Sequence, residues 1–410
     1  MAASTIDRAP PNAGMITSHT ADRNWPLWPL LPLYPYGQRQ TLCREILPSQ
    51  LWVFEQLQGV LYVAVPIRMT VVRLHRGGLL VYAPIAPTTE CCRQLQALEN
   101  RYGAVQHIVL PTSSGLEHKV FVGPFARAFP SATIWVAPDQ WSFPLRLPLH
   151  WLGVPRDRTR FLTDSQGVLA EEFEWARLGP INLGPGPFEE IALFHRPSRS
   201  LLLTDTLIAI QPEPPAIAQL DPWPLLFHSR NRVDQAWEDT PERRRQGWQR
   251  TVLFSLYFRP SALEVTSLWQ SVKEAGQAPE RSRRAYWGLY PFRWNADWQQ
   301  SFQKLPAAGT PFVAPILQEL ILKQSPDVTW DWVNRICQWP FERIVPCHFE
   351  APIAAGPEAV RQAFAFLRDR TQPFPEADLE LLHNLDRQLQ QRGITPPRPQ
   401  ESGIKTGSQR

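Results

Sequence analysis

The chain predicts an α/β fold on three observations. Short β-branched apolar runs alternate with stretches whose apolar residues fall at helical spacing. Gly, Pro, Asn and Asp clusters punctuate the junctions, and the rhythm continues over most of the 410 residues. At this length one enlarged domain or two are both compatible with core size.

Residues 57–85 read as a meander: Gly59–Val65, Met69–Leu74, a Gly77–Gly78 turn, and Leu79–Tyr82. Thr88 or Thr89 can cap a helix that places Cys91, Leu95, Leu98 and Tyr102 on one face. A strand at 107–110 follows, then a loop and a helix from about 117 with Phe121, Phe125 and Phe129 in one stripe. Ser131–Ala137 is a further predicted strand.

The pattern turns to β again at Glu189, with Ile191–Phe194, a turn at His195–Arg199, and Ser200–Thr204. This hairpin delivers Asp205 at its tip, and His195, beside Arg196 and Arg199, is expected to be solvated. A helix is expected near 311–323, and a strand at Ile344–Val345 runs into Pro346-Cys347-His348. Pro357 opens a helix with Val360, Phe364 and Leu367 on one face. A last amphipathic helix carrying Leu379, Leu382 and Leu389 stops at Gly393.

These elements divide the chain into six stretches. Residues 1–24 are expected to be disordered and 25–56 to form a Trp/Pro-rich strap and lead-in. The two halves of the main domain are 57–215 and 307–372, separated by a Trp/Arg-rich, mainly helical insertion at 216–306. A helix and loose tail occupy 373–410. The prolines of Trp25–Tyr36 cannot sustain a helix, and the segment is too short to span a bilayer. It fits a polyproline-like strap over an apolar groove, or a strip that touches a membrane surface or a partner.

Composition narrows the function classes. With 42 basic against 38 acidic residues and a net charge of +4, the chain lacks the strongly basic footprint of a nucleic-acid binder. Arg243, Arg244, Arg245 and Arg250 with Trp248 could cradle phosphate or RNA, but Glu238, Asp239 and Glu242 beside them favour a salt-bridged helix. The five cysteines, Cys43, Cys91, Cys92, Cys337 and Cys347, contain no C-x-x-C, so neither a disulfide framework nor a zinc ribbon is indicated. No signal peptide or transmembrane stretch is read, and a cytoplasmic location fits best.

The chemistry concentrates after the run Ile108-Val109-Leu110, where residues 112–118 read Thr-Ser-Ser-Gly-Leu-Glu-His. This stretch resembles an altered form of the T-H-x-H-x-D-H motif of metallo-β-lactamase-like hydrolases, and the resemblance runs in chain order over most of 57–370. Within that superfamily the chain is similar to an uncharacterised family of photosynthetic organisms. That likeness rests on its Trp- and Pro-rich opening, Gly77–Pro84, Glu117-His118-Lys119, Trp141-Ser142-Phe143-Pro144 and Pro346-Cys347-His348-Phe349. The resemblance implies a metallo-β-lactamase-like αββα four-layer sandwich with a helical insertion.

It also implies where metal ligands would stand. The first metal position would need histidines at Ser113, Gly115 and near Pro187, none of which supplies an imidazole. The second position would hold Glu117, His118, Asp205 and His348, a donor set suited to one divalent zinc, iron or manganese ion. Each of the four also has a structural explanation, such as helix-dipole complementarity for Glu117. Cys347 is a soft extra donor or a small buried residue.

The leading expectation is a protein that has lost the two-metal centre and works as a binding or regulatory protein for a small molecule or protein. The alternatives are a mononuclear metal-dependent hydrolase of an ester or phosphodiester, and a scaffold for a membrane-associated or photosynthetic assembly.

Overall fold

The structure is a computed structural model and describes residues 20–114, 116–141, 147–163, 168–369 and 374–398. Gly115 and Ser142, Phe143 and Pro144 of the predicted motifs lie outside the described residues, as do residues 1–19 and the end of the tail.

The first sheet begins with four antiparallel neighbours: β1 (Leu42–Leu47), β2 (Leu51–Val60), β3 (Val63–Arg73) and β4 (Leu79–Tyr82). Helix α1 (Thr89–Tyr102) starts at Thr88, whose hydroxyl accepts the Cys91 N–H at 3.2 Å. It crosses to β5 (Val105–Leu110), parallel to β4, and α2 (Leu116–Ala128) crosses in turn to β6 (Thr133–Val136). With β7 (Thr159–Phe161) the sheet has seven strands in sequence order. The second sheet starts with β8 (Phe173–Asn182), β9 (Pro187–His195) and β10 (Ser200–Leu202).

The insertion follows as α3 (Ala216–Leu220), α4 (Trp223–Ser229), α5 (Pro241–Tyr257), β11 (Leu263–Val265), α6 (Leu268–Glu274), β12 (Phe292–Trp294) and α7 (Trp298–Gln303). It is mainly helical, with β11 and β12 paired antiparallel. The chain then returns through α8 (Pro315–Leu320) and α9 (Pro326–Ile336) to β13 (Arg343–Val345), which joins the second sheet parallel to β10. Two helices, α10 (Pro357–Ala363) and α11 (Glu376–Gln391), close the described chain.

Strand alternation sorts the side chains into four layers. Leu51, Val53, Leu80 and Tyr82 of the first sheet meet Phe173, Ile191, Leu193 and Val345 of the second between the sheets. The opposite face of the first sheet, with Phe54, Met69 and Val81, packs on Leu95 of α1 and on Phe121 and Phe125 of α2. Each such buried phenyl ring contributes about 1.5–3 kcal/mol. The outer face of the second sheet, with Leu178 and Phe194, is covered by Trp332 and Ile336 of α9 and by Val360 of α10. The order of layers is therefore helix, sheet, sheet, helix, as expected, and the insertion shares a fourth core with Leu57 and Ala64 of the first sheet and Leu379 and Leu382 of α11.

Local chemistry departs from three expectations. The stretch Gly59–Val65 is not one strand, because Leu61 and Tyr62 adopt φ of 49° and 62° and turn β2 into β3 without the usual Gly or Asn. His195 is buried rather than solvated: it ends β9, and its Nδ1 lies 2.7 Å from Ser198 Oγ. Strand β1 and the start of β2 fall within the stretch read as lead-in. The strap before them packs on the domain, with Trp25 edge-on to Phe121 at 5.3 Å and Tyr34 N–H donating to Gly59 O.

The Arg-rich run follows its salt-bridged reading. Arg243, Arg244 and Arg245 pair with Glu238, Asp239 and Glu213. Arg250 is buried and donates to the carbonyls of His228, Ser229 and Arg230 at 3.0–3.3 Å, so it closes the carboxyl end of α4. Among the described residues no helix is long and apolar enough to cross a membrane.

Candidate functional site

Three loops at the ends of β5, β10 and β13 bring the predicted residues together. Glu117 and His118 open α2, Asp205 follows β10, and His348 follows β13. The pairing of β10 with β13 across the insertion sets the last two side by side.

His348 is the centre of the group. Its Nε2 lies 3.2 Å from Asp205 Oδ1 and 3.3 Å from Glu117 Oε2, while its Nδ1 lies 2.9 Å from the Pro66 carbonyl. A carbonyl and two carboxylates can only accept, so both ring nitrogens carry protons and the ring is an imidazolium. Burial pushes its pKa down, but the hydrogen bonds and charges of Asp205 and Glu117 outweigh this and raise it to about 10. Desolvation pushes the carboxyl of the half-exposed Glu117 up; the His348 hydrogen bond and charge, then His118 and Arg39, leave it below the ordinary range.

His118 behaves differently. Its Nδ1 donates to the Pro84 carbonyl at 3.0 Å, and burial keeps the ring neutral by lowering its pKa. That fixes the tautomer and leaves Nε2 as a buried lone pair without a partner. The charges of Glu117, His348 and Asp205 all act on this ring. The donor types of the second position are thus gathered in one place. Even so, among the described residues no group of three or more His, Cys, Asp and Glu side chains is posed to hold a metal ion. The carboxylates face the His348 N–H instead.

At the first position the residues do not fit a metal. Lys119 is fully buried, and its ammonium donates to the main-chain carbonyls of Ser113 and Trp141. The Trp141 indole N–H donates to the Pro187 carbonyl at 2.7 Å. A Cβ added to Gly186 would sit 2.3 Å from the same indole ring, so tryptophan is packed directly against the Gly186-Pro187 turn. A protein cation and an indole close the loops where the resemblance places the first ligand set.

Several residues that position this site carried no motif in the sequence. Glu190 on β9 is fully buried and accepts the backbone N–H groups of Thr204, Asp205 and Thr206 at 2.8–3.1 Å, plus the Thr206 hydroxyl at 3.0 Å. Burial first, then the neighbouring Asp205 charge, raise its pKa to about 7. Arg68 on β3 donates to the carbonyls of Pro346 and Phe349 at 2.6 and 2.5 Å, and pairs with buried Glu55 on β2 at 2.6 Å. Phe349 itself has φ of 54°, so this clamp holds a left-handed non-glycine residue next to His348. A carboxylate or guanidinium inside an otherwise apolar strand was the available signal.

The family described as Domain of unknown function (DUF4336) matches residues 48–366. No curated protein matches the chain. Among solved structures, a metallo-β-lactamase from Pontibacter korlensis is similar at 14% identity and TM-score 0.31, over 42% of this chain and 74% of that one. The metal-soaked Flv1 flavodiiron core from Synechocystis sp. PCC6803 is similar at 9% identity and TM-score 0.40, over 80% of this chain and 61% of that one. The DIM-1 metallo-β-lactamase exposed to ceftazidime is similar at 9% identity and TM-score 0.36, over 79% and 96%. The chain thus spans about three fifths of the flavodiiron core that it matches.

Proposed function

The chain belongs to the DUF4336 family of unknown function, and on that premise we propose that it is a metallo-β-lactamase-like binding or regulatory protein without a two-metal hydrolytic centre. The observation that supports this reading is a pair of protein cations at the two places where the resemblance puts metal ligands. Lys119 ties the first loop, and the His348 imidazolium neutralises the two carboxylates of the second. Neither an ammonium nor an imidazolium can activate water as a Lewis acid does. The unpartnered Nε2 of His118 is then the acceptor left for a ligand that presents an N–H or O–H group.

One observation favours a second reading, a mononuclear metal site. Both His118 and His348 donate Nδ1–H to a main-chain carbonyl, which is the support that orients metal-binding imidazoles. Glu117, His118, Asp205 and His348 would hold one zinc, iron or manganese ion, whose chemistry would be to acidify a bound water. A metal must first displace the proton that Asp205 and Glu117 hold on His348, and that competition weakens binding at pH 7.

The test is metal content and turnover together. The full chain is expressed with zinc, iron and manganese supplements, analysed for bound metal, and assayed with a generic phosphodiester and a thioester. Sub-stoichiometric metal and no metal-dependent turnover are expected. One ion per chain with turnover that disappears in His118→Ala would replace this reading with the mononuclear hydrolase.

A further inference from the structure

Helix α6 of the insertion is built inside out. Its buried side is polar: Ser271 lies under the surface, with its hydroxyl bonded to Thr266 Oγ1 at 2.9 Å and to the Ser267 carbonyl at 3.1 Å. Its apolar residues point to solvent, with Leu268 75%, Trp269 77% and Val272 51% exposed. Amphipathic helices of a folded domain normally do the reverse.

A second observation lies next to it. Tyr286 and Trp287 both occupy the left-handed region, with φ of 50° and 56°, where non-glycine residues are strained. Tyr286 is used internally, its ring tilted against Tyr62 at 4.9 Å, whereas Trp287 is left 63% exposed. A Cβ on the adjoining Gly288 would fall 2.7 Å from the Ala275 carbonyl, so this turn abuts the carboxyl end of α6. The strain therefore displays a second indole beside the first apolar face.

The exposed charges around it are basic in excess. Lys273, Arg281 and Arg283 are exposed and pair with no carboxylate among the described residues. Of the nearby acids, Glu274 is paired with Arg293 and Gln270, whereas Glu280 accepts the Ser282 N–H and keeps its negative charge. Glu264 of β11, opposite Arg293 in the register, is a further exposed acid of the insertion. Projecting Trp, Leu and Val side chains with exposed basic groups beside them match the requirements of a membrane interface, where indoles seat at headgroup level and cations meet anionic lipid.

We propose that the α6 and Trp287 face of the insertion docks the protein peripherally on an anionic lipid bilayer. The apolar tips enter the interface, and Lys273, Arg281 and Arg283 contact the headgroups. This surface is separate from the Glu117–His348 site and does not depend on how that site works.

The experiment is flotation of the full chain with vesicles of neutral phosphatidylcholine, with and without a third of phosphatidylserine, at low and at 0.5 M salt. Two variants accompany it: Leu268→Ser/Trp269→Ser/Trp287→Ser and Lys273→Glu/Arg281→Glu/Arg283→Glu. All six side chains are exposed, so both variants should melt as the parent does. The parent should float with anionic vesicles, with binding reduced at least tenfold by high salt, by either variant, and by removal of phosphatidylserine. No flotation of the parent, or flotation that both variants retain, overturns the proposal. Self-association of the parent that the serine variant abolishes, without vesicle binding, overturns it in favour of a protein-docking face.

Discussion

The guanidinium of Arg68 donates to the main-chain carbonyl of His348 at 3.4 Å, as part of a clamp that also takes the carbonyls on either side, from Pro346 and Phe349. Arg68 itself is anchored by Glu55, the residue directly opposite it in the β2–β3 register. A cross-strand ion pair in the first sheet therefore sets the position of the imidazolium on the far side of the chain. Neither residue touches the carboxylates that His348 serves.

Removing Arg68 should be costly out of proportion to its surface. Arg68→Met leaves Glu55 buried with only the half-exposed Arg44 as counter-ion, and leaves the 346–349 carbonyls without their donors. We expect a loss of about 3 kcal/mol in urea unfolding, near the lower end for breaking a buried pair. Glu55→Leu combined with Arg68→Met should recover part of it, since no charge is then stranded. A double variant no more stable than the single one would show that the carbonyl clamp, and not the ion pair, dominates.

The His348 ion pair predicts a pH signature. The folded pKa is raised above the unfolded value by Asp205 and Glu117 acting against burial. Its contribution is therefore complete below about pH 6.5 and is lost as pH rises through about 10. The melting temperature of the wild type should exceed that of His348→Gln by a constant few degrees at pH 5.5–6.5. The gap should close by pH 10. A gap that widens with pH would mean that the ring is neutral in the fold.

Glu190 organises the Asp205 loop, and its removal should be felt at Asp205. Glu190→Gln exchanges an acceptor for an amide NH₂ facing N–H donors, at about 2–3 kcal/mol. Because the loop then loosens, the His348 Hε1 resonance should titrate nearer its ordinary value in this variant than in the wild type. An unchanged His348 titration would restrict Glu190 to a purely structural role.

How much of this was legible in the sequence depended on the kind of signal. The four layers follow from alternation in β2–β5 and from the stripe Phe121, Phe125 and Phe129, since burial enforces these periods. Glu117, His118, Asp205 and His348 were found through a resemblance, and the structure brings three of them into direct contact, with His118 beside them. The supporting residues were not found, because Arg68 and Glu190 act on main-chain carbonyls and N–H groups about 280 and 15 positions away, and main-chain partners leave no trace in sequence. The Leu61–Tyr62 turn and the buried His195 were hidden for a similar reason. In both places tertiary packing overrides the local preferences of the residues.

Lys119 offers the sharpest separation between a lost metal position and one merely misread. Its ammonium satisfies the carbonyls of Ser113 and Trp141, and burial lowers its pKa to about 8. Lys119→Met strands two buried carbonyls, and a loss of about 2 kcal/mol is expected near pH 7. A base whose folded pKa is depressed contributes stability at high pH that is lost as pH falls. The wild type should therefore gain on Lys119→Met as pH rises from about 8 to 10.4. If this loop instead holds a metal that the lysine merely neighbours, the variant should be rescued by added zinc and the pH trend should vanish. Thermal melts of both proteins at pH 7 and 10, with zinc and with a chelator, distinguish the two outcomes.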